Sequence, residues 1–99
     1  MKSGYKIEWT DNALSELRNT YKYLEDNWTE KEIRKLSKEI ERILNLISNN
    51  PSLFPIYDGT VRKVVIKKLN SLYYQETHDN TIQILSFFSN RQNPNKRKI

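Results

Sequence analysis

The chain has 99 residues, 36% hydrophobic and 29% charged, with 11% aromatic content and a net charge of +5. That length suits one domain with one modest core, and the aromatic content argues against disorder. The absence of cysteine excludes a disulfide frame and a thiolate metal site, and no run reaches the ~20 apolar residues of a membrane helix.

The N-terminus, MKSGYKIEW, lacks the apolar core of a secretory signal. A soluble, cytoplasmic single domain over 1–99 is expected, with no membrane contact. Tyr5, Ile7 and Trp9 alternate with Lys6 and Glu8, the period of a short edge strand with one buried face. Thr10-Asp11-Asn12 offers N-caps for a first helix. Its apolar stripe is Ala13, Leu14, Leu17, Tyr21, Leu24 and Trp28, and its end is predicted near Asp26–Asn27. Thr29 and Glu32 have capping-box spacing. A second helix then carries Ile33, Leu36, Ile40, Ile43 and Ile47, widened by Leu44 and Leu46, and stops at Asn49-Asn50-Pro51. So short a link makes the two helices an antiparallel hairpin. Their stripes read first as core against a sheet, with part of the hairpin left as a groove.

Residues 48–60, SNNPSLFPIYDGT, read as a stiff loop anchored by Leu53, Phe54 and Ile56, with Asp58-Gly59 as a turn. Three β-prone runs follow, Val61–Lys67, Leu69–Glu76 and Thr81–Phe88, predicting a three-stranded antiparallel meander. In the first run Arg62, Val64 and Ile66 share one face, and Val61, Lys63 and Val65 the other. Tyr73 and Tyr74 point to opposite faces, subject to reversal by a single bulge. Asn95–Ile99 reads as a flexible basic tail. The predicted fold class is α+β, in the order β-α-α-β-β-β, a small antiparallel sheet packed on a helical hairpin.

Charge is uneven along the chain. Residues 61–99 hold Arg62, Lys63, Lys67, Lys68, Arg91, Lys96, Arg97 and Lys98 against Glu76 and Asp79, whereas the preceding residues are nearly balanced. This pattern points to an acidic or polyanionic partner for the C-terminal half, solubility being the plainer explanation.

Particular residues carry a family resemblance. The opening YKIEWTDNALSELRNTYKYL, the middle ISNNPSLFPI and the close VRKVVIKKLNSLYYQE…IQILSFFSNRQNPNK together resemble the RelE/ParE toxin superfamily over roughly residues 5–96. The resemblance implies a growth-inhibiting toxin of a type II toxin–antitoxin system, of the kind tied to plasmid stabilisation, that a cognate antitoxin wraps and neutralises. It also implies one of two targets. A ParE-like toxin is associated with blocking DNA gyrase. A RelE-like toxin cuts mRNA in the ribosomal A site, without a metal or a cofactor.

RNA cleavage through the 2′-hydroxyl needs a base, an acid and cations on the phosphate. Arg62 and Arg91 match positions where RelE-type toxins carry phosphate-binding arginines, and Lys67 and Tyr74 complete the candidate nuclease set. The RelE branch places a Tyr or His near the C-terminus, but this chain ends NRQNPNKRKI. His78, the single histidine, reads as an exposed turn residue in THDN, and Tyr73 and Tyr74 read first as cross-strand aromatics. The missing acid favours target binding over cutting, with the ParE-like branch ahead and a detoxified member as a third reading. Arg62, Lys63, Lys67, Lys68, Arg91 and Gln92 form the expected anion-facing surface, though each arginine also reads as a plain strand-end charge. Leu17, Tyr21, Leu24, Trp28, Ile40 and Ile43 are the candidate contacts for an acidic or amphipathic antitoxin segment.

Overall fold

The computed structural model describes residues 4–89. Its elements are β1 (Lys6–Trp9), α1 (Asp11–Asn27), α2 (Glu30–Asn49), β2 (Ile56–Asp58), β3 (Val61–Ile66), β4 (Asn70–Thr77) and β5 (Thr81–Ser89). Both helices begin where threonine supplies an acceptor. Thr10 Oγ1 accepts from the Ala13 amide at 3.2 Å and Thr29 Oγ1 from the Glu32 amide at 3.3 Å. Each cap satisfies one of the N–H groups that a helix start leaves unpaired.

The sheet order is β1-β5-β4-β3-β2, antiparallel throughout except that β1 pairs with β5 in parallel. The two helices pack on one of its faces. Leu24 from α1 and Leu36, Ile40, Ile43 and Ile47 from α2 join Val64, Ile66, Leu72, Tyr74, Ile82, Ile84 and Phe87 in one core. Each such aliphatic side chain contributes about 1.5–3 kcal/mol by leaving water.

Three features differ from expectation. A fifth strand, β2, forms inside the stretch read as loop and pairs with β3, so Ile56 is 50% exposed on an edge and Leu53 46% exposed, neither serving as a core anchor. Phe54 alone of the three packs on the core. The α1 stripe ends at Leu24, because Trp28 leaves the helix in an extended conformation (φ −135°) and is 43% exposed. Leu14 and Leu46 lie at the margins of their stripes, 36% and 37% exposed.

A β-bulge in β5 ties the layers together. Tyr73 pairs with Ser86 and Tyr74 with Ile84, so Leu85 is the extra residue. Bulges disrupt the ladder and leave backbone groups to be satisfied elsewhere. Here the start of α1 supplies the partners. Thr10 Oγ1 donates to the Ile84 carbonyl at 2.8 Å, and Asn12 Nδ2 to the Leu85 carbonyl at 3.0 Å. One oxygen of Glu16 accepts from the Phe87 amide at 2.9 Å and the Ser86 hydroxyl at 2.8 Å. The other end of β1 is fastened as tightly. The Tyr5 amide donates to the Ser48 carbonyl at 2.9 Å, and the Ser48 hydroxyl to the Tyr5 carbonyl at 2.7 Å. Gly4 leaves room there, since a Cβ would stand 2.5 Å from Ser48 Oγ and force that hydroxyl to move.

Candidate functional site

Strand β3 sends its charges in two directions. Val64 and Ile66 face the helices, and Arg62 shares their side of the sheet. Arg62 donates from Nη1 to the Phe54 carbonyl at 2.7 Å. Its cross-strand partner Tyr74 is fully buried and donates its hydroxyl to the Pro51 carbonyl at 2.9 Å. Burial pushes the Tyr74 phenol above its ordinary range, and the nearby Arg62 charge opposes that shift. Both side chains therefore hold the 51–54 segment against the sheet, with Tyr74 a protonated donor at neutral pH.

Lys63 lies on the opposite, helix-free face. Its ammonium sits 5.5 Å from the Tyr57 ring centroid and 5.8 Å from that of Tyr73. The two rings meet edge to face at 5.1 Å and 71°. Such a cation over two aromatic faces is held by their quadrupoles. Sequence reasoning missed Tyr57 because it missed β2. The signal was present, since Ile56-Tyr57 precedes Asp58-Gly59 and an Asp-Gly turn between apolar runs marks a hairpin. Gly59, with φ 58°, takes the left-handed conformation such a turn requires.

Lys67 and Lys68 form the turn after β3, at the far end of the strand from Arg62. The five-residue separation from Arg62 to Lys67 corresponds to roughly 16 Å of extended chain. Of the candidate nuclease set, Arg62 and Tyr74 are neighbours and Lys67 stands apart. Arg91 and Gln92, with the expected 95–99 tail, lie outside the described residues. The anion-facing group is likewise divided: Arg62 on the helix side, Lys63 on the open face, and Lys67 and Lys68 at a hairpin tip.

Beside Arg62, a cleft of about 610 Å³ is lined by Ile56, Gly59, Thr60, Gln75, Glu76, Thr77 and His78 as well as Arg62 itself. His78 lies exposed in the turn between β4 and β5, as the sequence suggested. The Glu76 carboxylate near Tyr5 raises the pKa of that phenol above its ordinary value.

The candidate antitoxin contacts fare unequally. Leu24, Ile40 and Ile43 are 1%, 6% and 4% exposed. This corrects their assignment as partner contacts, because the sheet already occupies the face they present. Leu17 and Tyr21 pack part-buried against the core, Tyr21 with its hydroxyl 2.7 Å from Ser37 Oγ. Trp28 remains accessible at the helix–helix corner. Among the described residues no helix is long and apolar enough to cross a membrane.

Comparison with known proteins places this architecture. The family model for the ParE toxin of the type II toxin–antitoxin system parDE matches residues 7–94. A chain of the chromosomal ParDE toxin–antitoxin system from P. aeruginosa superposes with a TM-score of 0.69 at 16% identity, covering 89% of this chain and 98% of that one. TrmO from Pseudomonas aeruginosa shares the fold more loosely, with a TM-score of 0.54 at 15% identity over 90% of this chain and 37% of its own. No curated protein matches in sequence. With the α+β architecture, the meander and the family model agreeing over nearly its whole length, the chain belongs to the ParE toxin family of type II toxin–antitoxin systems.

Proposed function

We propose that this chain inhibits growth by binding a cellular protein, DNA gyrase being the first candidate, and that a cognate antitoxin neutralises it. The observation that carries binding over cutting is the employment of Arg62 and Tyr74. A nuclease would direct an arginine at phosphate and keep a titratable group open to the leaving oxygen. Here the arginine bonds the Phe54 carbonyl, and the phenol is buried on the Pro51 carbonyl. Lys63, Lys67 and Lys68 remain as cations on open surface, suited to an acidic partner. The family match supports the toxin reading and an antitoxin partner alike.

The antitoxin segment is proposed to be acidic or amphipathic, covering the hairpin corner at Trp28 and Tyr21. The purified chain, tested side by side on gyrase supercoiling and on ribosome-bound mRNA, decides the mechanism. Inhibited supercoiling with intact mRNA is expected. Cleaved mRNA with unaffected gyrase would replace this reading with the RelE-like one. Co-expression with the neighbouring reading frame should yield a tight complex, and recovery of the chain alone would count against neutralisation by that product.

A further inference from the structure

The link between β3 and β4 is built against the conformational preference of its own residues. Ile66 pairs with Asn70, which leaves Lys67, Lys68 and Leu69 to reverse the chain. Lys67 has φ 54° and Lys68 φ 68°. The Leu69 amide donates back to the Lys67 carbonyl at 2.7 Å. A bond from residue i+2 to residue i around a central residue of positive φ is the rare, strained form of γ-turn. Long side chains disfavour the left-handed region because Cβ crowds the backbone there.

The same molecule shows the inexpensive solution. The β4–β5 link also spans three residues, between the paired Thr77 and Thr81. There the left-handed positions fall on Asp79 (φ 64°) and Asn80 (φ 53°), residue types that tolerate such backbone. Among the described residues the remaining positive φ belongs to Gly59. Among the described residues, the β3–β4 tip alone places consecutive lysines in this conformation, and it is clamped. Asn70, fully buried, donates its side-chain amide to the Ile66 carbonyl at 3.0 Å beneath the turn. Strain that the surrounding structure enforces is a recognised mark of a functional element.

The surroundings define what the tip would meet. Val65 is 55% exposed and Leu69 38% exposed, so exposed aliphatic residues flank the two lysines along the chain. On α2, Arg42 bonds Glu39 at 2.6 Å and holds its carboxyl below the ordinary range, with Lys67 adding to that effect. Glu39 therefore partly balances Lys67. Lys68 makes no ion pair among the described residues. Point-like ammonium charges between aliphatic side chains match carboxylates set in apolar protein surface. An ammonium group pairs with either anion, and it is the aliphatic rim of Val65 and Leu69, with no stacking ring at the tip among the described residues, that favours a protein surface over a nucleic acid.

We propose that the tip Lys67–Leu69 is the element by which this toxin engages its target, and that it docks on an acidic, apolar-rimmed patch of a protein. This rests on the target-binding reading above. The experiment compares wild type, Lys68→Gly, Lys68→Glu and Lys68→Arg for thermal midpoint, growth inhibition on induction at matched protein level, and affinity for short duplex DNA and single-stranded RNA. Glycine relieves the backbone, so Lys68→Gly should melt a few degrees higher, on the order of 4–8 °C, while growth inhibition falls at least tenfold. Lys68→Glu should lose inhibition without the gain in midpoint, and Lys68→Arg should retain it. If wild type is toxic and Lys68→Gly and Lys68→Glu are equally toxic, the tip is not the contact. If the lysine changes abolish nucleic-acid binding in step with toxicity, the partner is not a protein patch. A wild type that leaves growth untouched fails the earlier reading first and this one with it.

Discussion

Glu16 offers the sharpest test of how this fold is held. A single carboxylate oxygen on α1 accepts from the Phe87 amide at 2.9 Å, the Ser86 hydroxyl at 2.8 Å and Asn12 Nδ2 at 3.3 Å. The Phe87 amide is the costly partner, because Phe87 is 1% exposed and its N–H has lost water. Replacing Glu16 with Ala leaves that donor and the Ser86 hydroxyl without their acceptor. An unsatisfied buried donor costs about 1–3 kcal/mol, and hydrogen bonds to a charged group contribute about 1.5–3 kcal/mol net. Glu16 itself is partly buried, so water can replace only part of the loss, and about 2 kcal/mol is the expected total. At about 4–8 °C per kcal/mol for a domain of this size, the midpoint should fall by roughly 8–16 °C.

Glu16→Gln keeps a carbonyl oxygen in place and should lose less than half of that. Asn12→Ala, which removes a longer bond and the donor to the Leu85 carbonyl, should fall between wild type and Glu16→Ala. Thermal unfolding followed by circular dichroism reads all three. A Glu16→Ala midpoint within 1 °C of wild type, or a glutamine variant as weak as the alanine one, would mean that the bulge does not depend on this carboxylate.

Other predictions concern the loops fastened to the sheet. Gly4→Ala should cost about 1 kcal/mol, because its Cβ displaces the Ser48 hydroxyl from the Tyr5 carbonyl. In a Ser48→Ala background the same change should cost much less, and equal penalties in a double-mutant cycle would refute the steric account. Tyr74→Phe should destabilise by about 1–2 kcal/mol at neutral pH through the lost bond to Pro51. It should also change the alkaline limb. The folded phenol titrates above its unfolded value, so its contribution is complete below the unfolded pKa and is lost as pH rises through the folded one. Wild type should therefore weaken above about pH 10, and Tyr74→Phe should weaken less over the same range. Parallel alkaline limbs in urea titrations would exclude Tyr74 as the cause.

What the sequence made legible was local. Thr10 and Thr29 announce both helix starts, Asn49-Asn50-Pro51 the end of the second, and the alternation of Arg62, Val64 and Ile66 against Lys63 and Val65 the two faces of β3. The sheet-facing stripes of the helices were equally readable as core, apart from the marginal Leu14 and Leu46 and from Trp28, whose spacing continues the stripe while its backbone does not. Long-range features were hidden. Nothing near Tyr5–Trp9 announces a parallel pairing with β5, and Leu85 looks like any other residue of an apolar run until Tyr73 and Tyr74 select partners two apart. The site was divided in the same way. Residue types marked Arg62, Lys63, Lys67 and Lys68 as basic, but a partner such as the Phe54 carbonyl depends on where the loop returns.

That return changes how the basic surface should be probed. Arg62→Glu would set a carboxylate against the Phe54 carbonyl, and the charge repulsion plus the lost bond should cost about 1–3 kcal/mol. Loss of toxicity in that variant would then report a loosened 51–54 segment as readily as a missing contact. Lys63→Ala asks the question cleanly. Its ammonium rests on Tyr57 and Tyr73 and bonds no backbone group among the described residues, so removing it should cost only about 0.5–1 kcal/mol. If the open face meets the target, Lys63→Ala should weaken growth inhibition at a nearly unchanged midpoint, while Arg62→Lys, which retains a donor for Phe54, should keep it. The opposite outcome, with Lys63→Ala fully toxic and Arg62→Lys folded but harmless, would move the working surface to the helix side and make the cleft beside Arg62 the place to look.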